Sequence, residues 1–232
     1  MKPIAIIQHT EISAPGAISA ILAEQGWYAH VVRVDQGEAI PRDASRFGGL
    51  VSLGGSMSVH EPLPWIRDEL SLIRDADRLG IPVAGHCLGS QLVSVALGGS
   101  VRKHEHPEIG WSLIDPAPQP LARAWWGPYA LGAIETFQWH YDTFEPPAAS
   151  ELLASSAQCR NQVFVVRGRH LLIQSHLEVT PEIIDRMAAS SGRTLAAGAA
   201  QAMCDDQEMP TRAARMHAVL AQLYLRWLQS AS

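Results

Sequence analysis

Four short runs in the first half of the chain, Ile4 to Gln8, His30 to Val34, Leu50 to Leu53 and Pro82 to His86, are largely apolar and do not alternate with polar residues. A strand with that pattern has both faces buried, which is the condition of a central strand in a parallel sheet. Longer helical patterns separate the runs: Pro15 to Gln25, and Pro64 to Leu79, the latter opened by Pro64 and closed by Gly80. Strands alternating with helices in this way build an α/β fold, doubly wound and flavodoxin-like, with a mostly parallel sheet covered by helices on both faces.

The second half changes character. Possible antiparallel strands at Ser100 to His104, Ile134 to His140, Gln162 to Val166 and His170 to His176 predict a small antiparallel extension of the sheet. Helices return at Pro181 to Ser190 and Pro210 to Leu228. The stretch 111–132, with Pro116, Pro118, Pro120, Gly127 and Pro128, gives no readable element. No repeat or linker divides the chain, and 232 residues with 47% hydrophobic content suffice for one domain over 1–232.

With 23 acidic and 18 basic residues, the net charge of −5 provides no field for nucleic acid or anionic lipid, so a small-molecule substrate is the expectation. The amino terminus has one Lys and an apolar run too short for a signal peptide or a membrane span, which points to the cytoplasm. Cys87, Cys159 and Cys204 form no CxxC pair, so each is read as a lone thiol.

The segment Ile81-Pro-Val-Ala-Gly-His-Cys-Leu-Gly-Ser-Gln places Cys87 between a buried strand and a helix over Leu88 to Leu97, with glycines two residues to either side. That is the cysteine counterpart of a nucleophile elbow, in which a sharp turn lifts the side chain to the carboxyl edge of the sheet and glycines let backbone pass closely. Unpaired N–H groups at the helix start favour negative charge at this position. The competing reading is a buried structural cysteine. A cysteine nucleophile needs a base and a group that orients the base. His176 and Glu178, two residues apart at the end of a strand, project to the same side of an extended chain and could form that couple.

At these residues the chain resembles the class I glutamine amidotransferases. It carries a G-x-C-x-G-x-Q elbow as Gly85-His-Cys87-Leu-Gly89-Ser-Gln91, a distal H-x-E as His176-Leu-Glu178, and a Gly-Gly loop after the third strand as Gly54-Gly55-Ser56-Met57-Ser58. Glu108-Ile-Gly-Trp111, Gln138-Trp-His-Tyr-Asp-Thr-Phe144 and Cys159-Arg-Asn-Gln162 look like stand-alone members related to the amidotransferase domain of GMP synthase, a neighbourhood that includes plant γ-glutamyl peptidases. The resemblance implies Cys87 as nucleophile, His176 as base and then acid, Glu178 as orienting carboxylate, and an oxyanion hole at the backbone N–H groups of Gly55 and Leu88. It also implies a substrate-facing Gln91, whose alternative is an ordinary helix residue. Gln138 and His140 are further candidates for contact with substrate, although an isolated His on a strand is often structural. The chain departs from the family's common pattern at Ser90, Ser175 and Leu177, and these changes bear on the pocket wall.

The implied chemistry is cleavage of the γ-carboxamide of glutamine, or of a related γ-glutamyl amide, through a γ-glutamyl thioester. It calls for no metal or organic cofactor. In His104-Glu-His106-Pro-Glu108 two His at i, i+2 could face one ion, but Pro107 interrupts the segment and no other His/Cys set has ligand spacing. The chain shows no Walker-type phosphate loop, so a synthetase reaction would need a separate synthetase partner. The alternatives are a γ-glutamyl peptidase acting on glutathione-like compounds and an idle binding module on the same fold.

Overall fold

The computed structural model describes residues 2–190 and 206–231. Cys204 lies outside the described residues. In chain order the elements are β1 (Ile4–Gln8), α1 (Ala17–Glu24), β2 (Ala29–Arg33), β3 (Gly49–Ser52), α2 (Pro64–Arg78), β4 (Val83–His86), α3 (Leu88–Ala96), β5 (Ser100–Pro116), α4 (Pro120–Trp126), β6 (Ile134–Glu145), β7 (Ser150–Ser155), β8 (Val163–Val166), β9 (His170–Ile173), α5 (Pro181–Ser190) and α6 (Met209–Leu228).

The strands form one sheet in the order β2-β1-β3-β4-β9-β8-β7-β5-β6. The first five are parallel and the remaining pairings are antiparallel. β1, β3 and β4 are buried on both faces as expected, whereas β2 is the edge strand and leaves Ala29 and His30 exposed. β9, read as antiparallel, pairs in parallel with β4 and antiparallel with β8. Consecutive residues of each central strand enter opposite cores. Ile4 and Ile6 of β1 pack with α1, α4, α5 and α6, whereas Ala5 and Ile7 pack with α2 and α3. The helices therefore cover both faces, as expected for the doubly wound class.

The antiparallel part is larger than the sequence suggests. β5 runs on to Pro116 and pairs with β6 from Ser100↔Glu145 to Ile114↔Ile134. Between Lys103↔Asp142 and Glu108↔His140 the register shifts, so that residues 104–107 stand opposite Tyr141 alone. Pro107, which has no N–H to give the ladder, lies in this irregularity, and it is why the strand reads as if it ended at His104. The unreadable stretch 111–132 is the end of β5 followed by α4, whose Trp125 and Trp126 are core residues. β9 is shorter than expected: it stops at Ile173, and His176 continues only as an isolated bridge to Phe137. Among the described residues no helix is long and apolar enough to cross a membrane.

At the start of β9 the wholly buried His170 accepts a hydrogen bond at Nδ1 from the backbone N–H of Val83, 3.2 Å away. Burial lowers its pKa from 6.5 to about 4, even though Asp77 lies 3.0 Å from Nε2. Below pH 6.5 the unfolded chain therefore binds a proton that the folded chain refuses until about pH 4. Stability should fall over that window by roughly 3 kcal/mol at most. His9 and His176 are raised, so their contributions are fully present below 6.5 and add no slope there. Denaturant titrations between about pH 6.5 and 4.5 should show this decline, and His170→Asn should flatten it; an equal decline in both proteins would rule out His170 as its source.

Candidate active site

The site forms where several strands end on the same edge of the sheet, the usual crevice of an open α/β fold. His9 follows β1, Gly54 and Gly55 follow β3, Cys87 follows β4, and His176 lies beyond β9. Cys87 has φ 49 and ψ −111, a conformation that L residues rarely adopt. Its N–H donates to the Ile173 carbonyl at 2.8 Å, and its own carbonyl accepts from the Gln91 N–H at 3.1 Å. The turn can be this tight because its flanking residues lack side chains. A Cβ at Gly89 would lie 2.0 Å from the Ser52 carbonyl oxygen, and one at Gly85 would lie 2.6 Å from the Ser90 nitrogen. Ser90 is buried and its Oγ accepts from the Ile173 N–H at 2.8 Å, which ties α3 to β9.

Cys87, His176 and Glu178 come together. His176 Nδ1 lies 2.8 Å from Glu178 Oε1. His176 Cε1 and Cys87 Cβ both lie within 4 Å of where a Cβ on Gly54 would stand, and the Cys87 thiol donates to the Trp139 carbonyl at 3.8 Å. Burial alone would depress His176, but the Glu178 carboxylate and the Cys87 sulfur outweigh it and hold His176 well above the ordinary imidazole range. Burial works to raise Glu178, yet its neighbours His86 and His176 hold it far below the usual carboxylate range. The second Glu178 oxygen lies 2.9 Å from His86 Nδ1, and His86 Nε2 lies 2.9 Å from the hydroxyl of Tyr224 on α6. His86 and Tyr224 are absent from the sequence-derived site; His86 could have been noticed only as a histidine inside a strand otherwise read as apolar.

A cavity of about 580 Å³ opens over Cys87, a size typical of small-molecule sites. Gly55, Leu88, Gln91, His140 and His176 line it, together with Lys103, Trp139, Tyr141 and Asp142. Gln91 is held by a bond from its Nε2 to the Asp142 carbonyl at 3.2 Å. His140 spends Nε2 on the buried Glu108 at 2.9 Å and Nδ1 on the Asp142 carbonyl at 3.1 Å. Glu108 is thus a partner for His140, and among the described residues no group of three or more His, Cys, Asp or Glu is arranged to hold a metal.

Gln138 departs from expectation. It is fully buried, does not line the cavity, and directs its Nε2 at Thr136 and Gln162, each at 3.2 Å. Its Nε2 is committed to the strand network and the side chain does not reach the cavity, which removes it from the candidate substrate contacts. The departures Ser90, Ser175 and Leu177 are likewise buried and none lines the cavity, so they do not shape its wall.

The backbone at Cys87 carries strain that glycine would not. A residue held in such a region costs about 1–3 kcal/mol. Cys87→Gly should therefore unfold at higher denaturant than Cys87→Ala, by about that much, reversing the usual order of glycine and alanine. Denaturant melts of the two proteins measure this directly; an alanine variant as stable as the glycine variant would show the turn to be relaxed.

Residues 10–188 match the glutamine amidotransferase class-I family. The glutamine amidotransferase-like protein YfeJ of Salmonella typhimurium is 30% identical over 199 residues, covering 82% of this chain and 81% of that one. Gamma-glutamyl peptidase 4 of Arabidopsis thaliana is 27% identical over 180 residues, covering 73% and 71%. The crystal structure of a glutamine amido transferase from Methylobacillus flagellatus superposes with a TM-score of 0.92 at 32% identity, covering 99% of this chain and 95% of that one. With the family's pattern running from just after β1 into α5 and the fold shared almost end to end, the chain belongs to the class I glutamine amidotransferases.

Proposed function

We propose that the protein hydrolyses the amide bond of a γ-glutamyl compound through a thioester on Cys87. The observation that carries this reading is that Cys87 and a His176 whose Nδ1 is held by Glu178 line the same open cavity. Glu178 occupies Nδ1, which leaves Nε2 of His176 as the nitrogen that serves the sulfur.

In the first half-reaction the Cys87 sulfur, its proton passed to His176 Nε2, adds to the amide carbon, and the carbonyl electron pair moves onto oxygen. The backbone N–H groups of Gly55 and Leu88, two residues of the cavity wall next to Cys87, are the proposed donors to that oxyanion. When the pair returns, the C–N bond breaks and the leaving amine takes the proton held on His176 Nε2. The raised His176 suits this role as acid. Water then adds to the thioester carbon as Nε2 takes its proton. Collapse returns the C–S electron pair to sulfur and releases glutamate.

The substrate is proposed to be larger than glutamine. The cavity extends from Cys87 to Lys103, Tyr141 and Asp142, more room than a single amino acid fills, and a relative of this chain is named a γ-glutamyl peptidase. Gln91, whose carboxamide lies at the cavity wall, is the proposed contact for the glutamyl portion, with His140 beside it. The proposed unit is a single domain over 1–232, since α6 near the carboxyl end packs into the same core as β1, and its proposed location is the cytoplasm.

Screening glutamine, γ-glutamyl dipeptides and glutathione-like conjugates for glutamate release should give the highest kcat/KM with a peptide or conjugate, and Cys87→Ala should abolish the reaction while Cys159→Ala leaves it intact. Fast turnover of free glutamine with no γ-glutamyl peptide cleaved would favour a glutaminase. Glutamine turnover that rises only when a synthetase is added would favour an ammonia-supplying subunit.

A further inference from the structure

The Gly54–Gly55 loop poses a physical problem that its own residues do not solve. A Cβ at Gly55 would lie 2.9 Å from Leu88 Cδ2, and one at Gly54 would lie 3.0 Å from His176 Cε1, so close packing favours glycine at both positions. Two adjacent glycines leave the peptide between them free to turn over. An N–H that must point at a developing negative charge has to be held in place beforehand.

His9 and Glu69 supply the restraint. His9 Nδ1 lies 3.2 Å from the Gly54 carbonyl oxygen, and Nε2 lies 2.7 Å from Glu69 Oε2. The other oxygen of Glu69 accepts from Ser52 Oγ at 2.6 Å. Glu69 has no exposed surface and sits on the face of α2 that otherwise buries Ile66, Leu72, Ile73 and Ala76. A carboxylate in such a place is costly unless paired. Both groups facing the ring are acceptors, so both contacts are made only when both ring nitrogens carry protons. Burial opposes that charged state, but Glu69 outweighs it and raises His9.

The Gly54 carbonyl and the Gly55 N–H belong to one trans peptide plane and point in opposite directions. Holding the carbonyl on His9 turns the N–H away from His9. Gly55 lines the cavity, and His9 and Gly54 do not. We propose that His9 and Glu69 form a buried clamp on the Gly54 carbonyl that aims the Gly55 N–H at the oxyanion, making them positioning residues for the reaction. The inference rests on the proposed acyl transfer at Cys87.

Three measurements on the full chain test it: kcat and KM with the best γ-glutamyl substrate, inhibition by an aldehyde analogue of that substrate, and alkylation of Cys87 by iodoacetamide. The aldehyde forms a tetrahedral adduct that needs the oxyanion donors; alkylation forms no oxyanion. His9→Ala should lower kcat by about 10- to 100-fold, less than the outright loss of an oxyanion donor. KM should stay within about threefold, the aldehyde should lose affinity in step with kcat, and alkylation should keep the wild-type rate. His9→Asn, which keeps a donor where Nδ1 stood, should recover most of kcat, and Glu69→Gln should fall between. If His9→Ala does not fold, the asparagine and glutamine variants carry the same comparison. Unchanged kcat in a folded His9→Ala or Glu69→Gln protein, or kcat and alkylation falling together, would overturn the clamp. A wild-type protein that cleaves no γ-glutamyl compound would instead overturn the acyl-transfer reading beneath it, and the clamp with it.

Discussion

The turn at Cys87 is the constraint on which the rest of the site depends. Its left-handed backbone is held by the Ile173 carbonyl on one side and by the first turn of α3 on the other, and it exists only because Gly85 and Gly89 permit β4, α3 and the end of β3 to touch. This geometry sends the side chain out of the sheet at the edge where β3 and β9 also end. A relaxed turn would let Cys87 pack as an ordinary core residue, which is what most free cysteines do. Strain of this kind persists because the surroundings over-determine it: besides the Cys87 N–H on the Ile173 carbonyl, Ser90 Oγ bonds both the N–H and the carbonyl of Ile173.

Charge is arranged around the turn in a closed set. Glu178 divides its two oxygens between His176 and His86, and His86 passes the contact on to Tyr224. Burial and the Glu178 charge together raise Tyr224 well above the usual phenol range, so its hydroxyl stays protonated. Since Tyr224 belongs to α6, the helix nearest the carboxyl end is linked through His86 to the carboxylate that orients the base. On the other side of Cys87, Glu69 and His9 repeat the same combination of buried carboxylate and imidazole. Unpaired, any one of these charges would be strongly destabilising in the interior; paired, they fix ring orientations that a cysteine nucleophile requires.

Much of this was legible in the residues. The unalternating runs identified the parallel strands, and the strand-turn-helix around Gly85-His-Cys87-Leu-Gly89 identified the elbow because glycine spacing at a tight turn is local information. His176 and Glu178 were legible as a pair, although the strand meant to carry them ends at Ile173 and the bond to Phe137 does part of that work. What escaped was long-range. The length of β5 was hidden by the charged, proline-interrupted segment at 104–107, which only its pairing with β6 makes a strand. Glu69 occupies a core position in the helical stripe of α2 but reads as a surface carboxylate, since its partners His9 and Ser52 are far away in sequence. Gln138 erred in the opposite direction, looking like a pocket residue within a polar strand while its partner Gln162 lies 24 residues on.

All of these features converge on one chemical claim, that Cys87 is transiently acylated. The most direct measurement is acid quenching of the enzyme during turnover of a γ-glutamyl substrate, followed by peptide mass spectrometry. The account predicts a γ-glutamyl adduct on the fragment that contains Cys87, labile to hydroxylamine as a thioester should be and absent from Cys87→Ala. Turnover with no adduct on Cys87 at any quench time, or with persistent activity in Cys87→Ala, would contradict it.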